Sequence, residues 1–128
     1  MKAEQASTAG APAVASGDHL VAVLAHNART RGSEVAMRER TLGIWQEYTW
    51  REYLDQVLAA AAGLEALGVG PGDTVLVVGD NRPALYFGML GAITLRAVPS
   101  PAYPDFTPDQ LLGQLEREAI RFAIAEDQ

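Results

Sequence analysis

Three places in the chain combine residue types that could do chemistry. His19 and His26 lie seven residues apart, so on a helix they share roughly one face, from which imidazoles can bind a metal or act as a general base. No second ligand cluster accompanies them, and solvated histidines on a helix surface are the plainer reading. Gly79-Asp80-Asn81-Arg82 follows a β-branched run and precedes a helical pattern, which puts it at the carboxyl end of a strand, where open α/β sheets hold ligands. A helix cap and a surface ion pair would account for its polar residues as simply. Gly68-x-Gly70-x-Gly72 has dinucleotide-like spacing but lies between a helix and a strand. The phosphate-binding arrangement needs strand, then glycines, then helix N-terminus, so these glycines read as turn residues. The chain contains no Gly-x-Ser-x-Gly elbow, no Walker A lysine loop and no His-Glu-x-x-His pattern, so spacing designates no catalytic, cofactor-binding or metal-binding residue.

The element that must position all of this is the run Thr74-Val75-Leu76-Val77-Val78. It is continuously apolar rather than alternating, which suits a strand covered on both faces of a parallel sheet. Gly68 stops the preceding helix and Gly70-Pro71-Gly72-Asp73 makes a surface turn into the strand. Beyond it, Asn81 can cap the next helix, with Pro83 in the first turn.

Taken in order, Met1 to Gly17 is rich in Ala, Ser, Gly and Thr, and residues 1–17 are expected to be a disordered lead-in. Asp18 can cap a helix running to about Arg31, with Leu20, Val23, Leu24 and Ala28 as its apolar stripe and Gly32 as its stop. Residues 34–40 and 44–49 alternate around Thr41-Leu42-Gly43, which predicts a β-hairpin. Trp45 and Trp50 should pack it onto a neighbouring helix. Thr49-Trp50-Arg51-Glu52 has the form of a capping box. The helix it opens carries Trp50, Leu54, Val57, Leu58, Ala61 and Leu64 inward and ends at Gly68.

Residues 84–95 are apolar around nearly the whole helix, which predicts burial on more than one side. Gly88 and Gly91 each cost about 1 kcal/mol of helix propensity, so close backbone packing is the reason to expect for them. A short strand over 97–101 follows, then a helix opened by Thr107-Pro108-Asp109-Gln110 with Leu111, Leu112, Leu115 and Ala119 inward, then a third strand over 122–125. Three strands separated by helices make a βαβαβ series and a parallel sheet. Too little protein is expected to be present to cover helix 84–95.

Composition narrows the partners. The chain has 128 residues, 48% of them hydrophobic, with a net charge of -6. Six Lys/Arg face seven Asp/Glu in residues 1–64, and four face nine in residues 65–128. Nucleic acid is excluded as a partner, because phosphate neutralisation needs clustered Lys and Arg. There is no cysteine, hence no disulfide framework, which fits the cytoplasm. No apolar run reaches membrane-spanning length, which leaves only peripheral membrane contact open.

Four blocks in linked order carry a family resemblance: Ile44-Trp45-Gln46-Glu47-Tyr48-Thr49-Trp50-Arg51-Glu52-Tyr53, then Leu67-Gly68-Val69-x-Pro71-Gly72-Asp73, then Gly79-Asp80-Asn81-Arg82-Pro83, then Ala125-Glu126-Asp127-Gln128. Together they resemble the beginning of AMP-forming acyl-CoA synthetases, the long-chain fatty acid branch most of all, over about Leu20 to the end. Leu95-Arg96-Ala97 stands where that family usually has a small Gly-containing turn. The resemblance implies that residues 18–128 are the N-terminal part of a large adenylate-forming domain, truncated at its C-terminal end. It implies an enzyme that adenylates a fatty acid with Mg-ATP and passes the acyl group to coenzyme A. The family's phosphate loop, nucleotide contacts, metal-binding Glu and catalytic Lys would all fall after Gln128, so no site residue, cofactor or metal is assigned to this chain. Its expected partner is the remainder of the domain, and alone it should be inactive. A standalone interaction module of the same fold, or an adenylating enzyme for a different carboxylic acid, are the alternatives.

Overall fold

The computed structural model describes residues 19–126; the expected lead-in over 1–17 and the Asp18 cap lie outside the described residues. The elements run α1 (Leu20–Thr30), β1 (Val35–Thr41), β2 (Ile44–Thr49), α2 (Trp50–Ala66), β3 (Thr74–Val78), α3 (Pro83–Thr94), β4 (Val98–Ala102), α4 (Pro108–Arg117) and β5 (Phe122–Ala125). β1 and β2 form an antiparallel hairpin, and the other strands form a parallel sheet in the order β4-β3-β5. The fold is thus the expected one, an α/β series hung on a central strand.

β3 is central because its sequence tolerates burial on both sides: Val75, Leu76 and Val77 are all buried. β4 must be an edge, since it carries Pro99 and Pro101 and proline has no N–H to give a ladder. The Val98 N–H donates to Asp73 O at 2.8 Å, and alternation then turns both prolines to the outer edge. That edge is blocked to further pairing. β5 pairs with β3 along one side, with Val77 opposite Ile124, and its Ala123 and Ala125 are exposed.

α2 begins at a complete capping box. The Glu52 N–H donates to Thr49 Oγ at 3.2 Å, and the Thr49 N–H donates to Glu52 Oε2 at 2.8 Å. Accepting that backbone N–H, and then the Thr49 hydroxyl, holds the Glu52 carboxyl below its usual range. The helix ends where Gly68 takes φ 98°; Gly68 N–H reaches Glu65 O and Val69 N–H reaches Leu64 O, a Schellman closure.

α3 packs against α2 on one side and the sheet on the other. One core cluster joins Val21, Leu24, Val57, Phe87 and Leu90, and a second joins Leu64, Val69, Val75, Ala92 and Ala97. Of the two glycines of α3, Gly91 has the predicted close backbone contact, whereas Gly88 is packed by the Ile124 side chain. A Cβ at Gly91 would lie 2.9 Å from Ala60 Cβ and 3.0 Å from Ala61 N, and one at Gly88 would lie 3.0 Å from Ile124 Cδ1. More of α3 is covered than its sequence suggests; its open side is the one bearing Tyr86, Met89 and Ile93.

Several side chains depart from expectation. The N-cap of α1 is His19, whose Nδ1 accepts from the Ala22 N–H at 3.4 Å. The inward stripe of α1 is Val21, Leu24, Asn27 and Ala28, while Leu20 is 65% exposed. Trp45 stands in solvent at 62% exposure, so Trp50 alone does the expected packing, stacked on Tyr53 with the Arg31 guanidinium over its ring. Leu58 and Leu112 point outward. Asn81 does not cap α3; Arg82 holds the N-cap position without a side-chain bond, Pro83 is at N1, and Asn81 Oδ1 accepts from the Tyr86 hydroxyl. On α4 the buried residue is Gln114, not the leucines. Its Nε2 donates to Ser100 Oγ at 2.8 Å and to Pro101 O at 3.2 Å, and the Ser100 hydroxyl donates to Glu118. Ala119, counted inward from its spacing, instead lies past the helix end with φ 50°.

Candidate functional site

The carboxyl ends of β3 and β5 meet at Gly79. A Cβ there would come within 2.9 Å of Glu126 Cβ, so only glycine lets the two strand ends approach this closely. The approach lets Glu126 organise the β3–α3 loop. Its Oε2 accepts from the Asp80 N–H at 2.6 Å, its Oε1 lies 3.4 Å from Arg82 Nε, and its own N–H donates to Val78 O. Arg82 also stands 3.9 Å from Asp80 Oδ2. This acid–base–acid triad rims a recess of about 90 Å³ whose apolar wall includes Leu85 and Ile124.

The triad is solvated: the side chains of Asp80 and Arg82 are 67% and 53% exposed. Exposed ion pairs of this kind contribute about 0–1 kcal/mol each, and they fix loop geometry more than they stabilise the fold. Chemically the arrangement can present a carboxylate and a guanidinium to a polar ligand, but each is already engaged by the other. Glu126 is the residue that spacing alone did not single out as part of this loop. Its signal was positional, since it follows the last strand of a parallel sheet at the same end as Gly79.

The other candidates separate from this end. The N–H groups of Gly68, Gly70 and Gly72 are taken by Glu65 O, Asp73 Oδ2 and Arg96 O, respectively, so none is free to meet a phosphate. They sit at the amino end of β3. His19 and His26 are both exposed on α1. Among the described residues no group of three or more His, Cys, Asp or Glu is placed to hold a metal ion, and no helix is long and apolar enough to cross a membrane.

A parallel sheet with helices between its strands defines an α/β domain. The AMP-binding enzyme family matches residues 24–128, and the chain belongs to that family. 4-Coumarate–CoA ligase 3 of Oryza sativa subsp. japonica is 37% identical over 81 residues, which are 63% of this chain and 15% of the rice protein. An uncharacterised protein of Mycobacterium tuberculosis is 37% identical over 93 residues, 73% of this chain and 53% of that one. Among solved structures, VinN in complex with L-aspartate superposes with a TM-score of 0.79 at 27% identity, covering 88% of this chain and 30% of VinN. The chain therefore spans a small part of the rice ligase and about half of the mycobacterial relative. The fold is that of the N-terminal domain of adenylate-forming enzymes.

Proposed function

We propose that this chain serves as the N-terminal segment of an ATP-dependent acyl-CoA ligase that adenylates a carboxylic acid and then forms its thioester with coenzyme A. The observation that carries the reading is the match to a named CoA ligase over only 15% of that ligase's length. The segment supplies a packed αβ layer and an open β5 edge, and the residues that bind ATP, Mg and coenzyme A lie in the remainder of the domain. A fatty acid is the proposed acid, on the strength of the four-block resemblance. The names of the relatives span other acids, coumarate in the rice ligase and aspartate in the VinN complex, so the acid is the finer part of the proposal.

Acid-dependent exchange of pyrophosphate into ATP tests both parts. The 128-residue chain alone should give none above a heat-killed control. Grafted in place of the matching segment of the rice ligase, it should restore exchange with the recipient's own acid. Exchange by the chain alone, or a correctly folded chimera that stays silent, would overturn the segment reading. The fatty acid assignment stands or falls on whether the enzyme carrying this segment prefers long-chain acids to coumarate.

A second reading has one observation behind it. The mycobacterial relative is about a third as long as the rice ligase, since 93 residues make 53% of the one and 81 make 15% of the other. A short protein of this fold would act as a binding module. An antibody to the chain, used on extract of its source, distinguishes the readings by the length of the polypeptide it detects.

A further inference from the structure

The end of the β1–β2 hairpin carries apolar side chains that no described residue covers. Every residue from Arg40 to Glu47 is exposed, and Leu42, Ile44 and Trp45 are exposed by 96%, 67% and 62%. The base of the hairpin is fixed, because Met37 and Tyr48 pack on the core cluster that contains Val57 and Phe87. Thr41 opposite Ile44 is the last pair of the ladder. The tip is therefore a convex apolar point, two strands wide, on a rigid base.

Folding does not account for the residue at the apex. Leu42 and Gly43 have φ of 51° and 81°, so the two-residue loop is a type I′ turn, whose first position favours Asn, Asp or Gly. A leucine there is disfavoured by its Cβ, and in this exposed place it recovers nothing by packing. The charge pattern is as local as the apolar one. Arg40 to Gln46 contains no acid, although the chain carries 16. Of the two acids that flank this stretch, Glu39 is half-buried and Glu47 is paired with Arg38 at 2.8 Å. Arg40 is the one charge of the tip, and it stands opposite Trp45 in the ladder.

We propose that this tip inserts into the interfacial layer of a phospholipid bilayer, with Leu42 and Ile44 at the acyl boundary and Trp45 and Arg40 at headgroup level. Trp suits that level because its ring is apolar while its N–H seeks a polar partner. Arg suits it because its stem lies along apolar surface while the guanidinium reaches a headgroup phosphate. A tip without acids brings no carboxylate into a layer where an unpaired one is costly. A protein partner would need a socket shaped to this point, whereas lipid deforms around it. The net charge of -6 gives the chain no long-range attraction to an anionic surface, so a zwitterionic bilayer is the surface that fits. The contact is peripheral, and it stands independently of the ligase reading.

The test is an amide-resolved NMR titration of the 128-residue chain with phosphatidylcholine bicelles, a fraction of whose lipid carries a nitroxide on its acyl chain. Broadening should be strongest at residues 42–45 and fall off toward Tyr48. Leu42→Asn separates this role from folding, because Asn tolerates the left-handed position that Leu does not. It should raise the thermal unfolding midpoint and yet lower bicelle partitioning about tenfold, the effect of withholding one leucine side chain from an apolar phase. Ile44→Thr keeps a β-branched residue in the strand and should lower partitioning in the same direction. Leu112→Asn removes a leucine that is also exposed, on α4 away from the tip, and should leave partitioning unchanged. Tip resonances unaffected by bicelles would mean that the tip awaits protein instead, and would overturn the proposal. Broadening centred on α1, α3 or β5, or partitioning that Leu42→Asn leaves intact, would overturn it equally.

Discussion

Replacing Gly91 with Ala pits two effects of known size against each other. Ala gains about 1 kcal/mol of helix propensity over Gly. Against it, the new Cβ would stand 2.9 Å from Ala60 Cβ and 3.0 Å from the Ala61 nitrogen. Carbon atoms prefer about 3.5–4.0 Å, so α2 and α3 would have to separate by roughly 0.6–1 Å. Neither obstacle is the end of a flexible side chain, and the α2–α3 seam joins both core clusters. Overpacking a tight interface costs about 1–3 kcal/mol, so Gly91→Ala should be net destabilising by up to about 2 kcal/mol. Gly63→Ala is the control, because a Cβ there would meet nothing within 4 Å; it should stabilise by most of the propensity difference. Gly88→Ala should fall between them, since its obstacle is the movable end of the Ile124 side chain. Urea unfolding of the three variants reads this order directly as midpoint shifts at constant m. If Gly91→Ala stabilises as much as Gly63→Ala, the helices are not as close as described and the account of α3 fails.

Other perturbations follow from the caps and the α4 contact. Thr49→Ala should cost about 1 kcal/mol of stability, and Thr49→Ser should restore most of it, with turnover of the full enzyme unchanged well below the new melting midpoint. The lowered Glu52 pKa fixes a sign: its stabilisation is present above the unfolded Glu value of about 4.3 and is lost as pH falls through the lower folded value, so Glu52→Gln should flatten the acid limb of a stability–pH curve. Arg96 occupies the left-handed position that closes α3, with φ 59°, and Arg96→Gly should raise stability by up to about 1 kcal/mol, visible as a higher unfolding midpoint. Gln114→Ala removes the hydrogen bonds that hold α4 on β4 and should cost about 1–3 kcal/mol, with faster amide exchange in α4 than in β3.

The backbone plan was legible because each local signal agreed with the next. A continuous β-branched run, a capping box at Thr49 and Gly68 as a helix stop each name one structure, and β3, α2 and its closure follow from them. Inward faces were less legible, because period alone fixes a helix's stripe only to within a residue or so and tertiary partners choose the rest. On α1 the stripe turned to Val21 and Asn27 and left Leu20 outside. On α4 the inward Ser100 of β4 is polar, and the helix meets it with Gln114 rather than with its leucines. Helix ends show the same limit. α2 closes on Gly68, where sequence and conformation agree, but Arg96 N–H reaches Ile93 O and Ala119 N–H reaches Glu116 O in equivalent closures without a glycine to announce them.

The loop at the strand ends was hidden for a related reason. Asp80 and Arg82 could be placed from the strand before them, whereas their partner Glu126 is 46 residues from Asp80, and only the β3–β5 register brings it there. That register sets Val78 beside Ala125, so the next residue of each strand must meet at the carboxyl edge. With a side chain on both, the strand ends would be forced apart; with glycine at 79, the Glu126 carboxylate can reach over the end of β3 and accept the Asp80 N–H. Gly79 is therefore a packing glycine, like Gly91, and not a phosphate-loop glycine. What it makes room for is the Glu126 side chain that holds the β3–α3 loop.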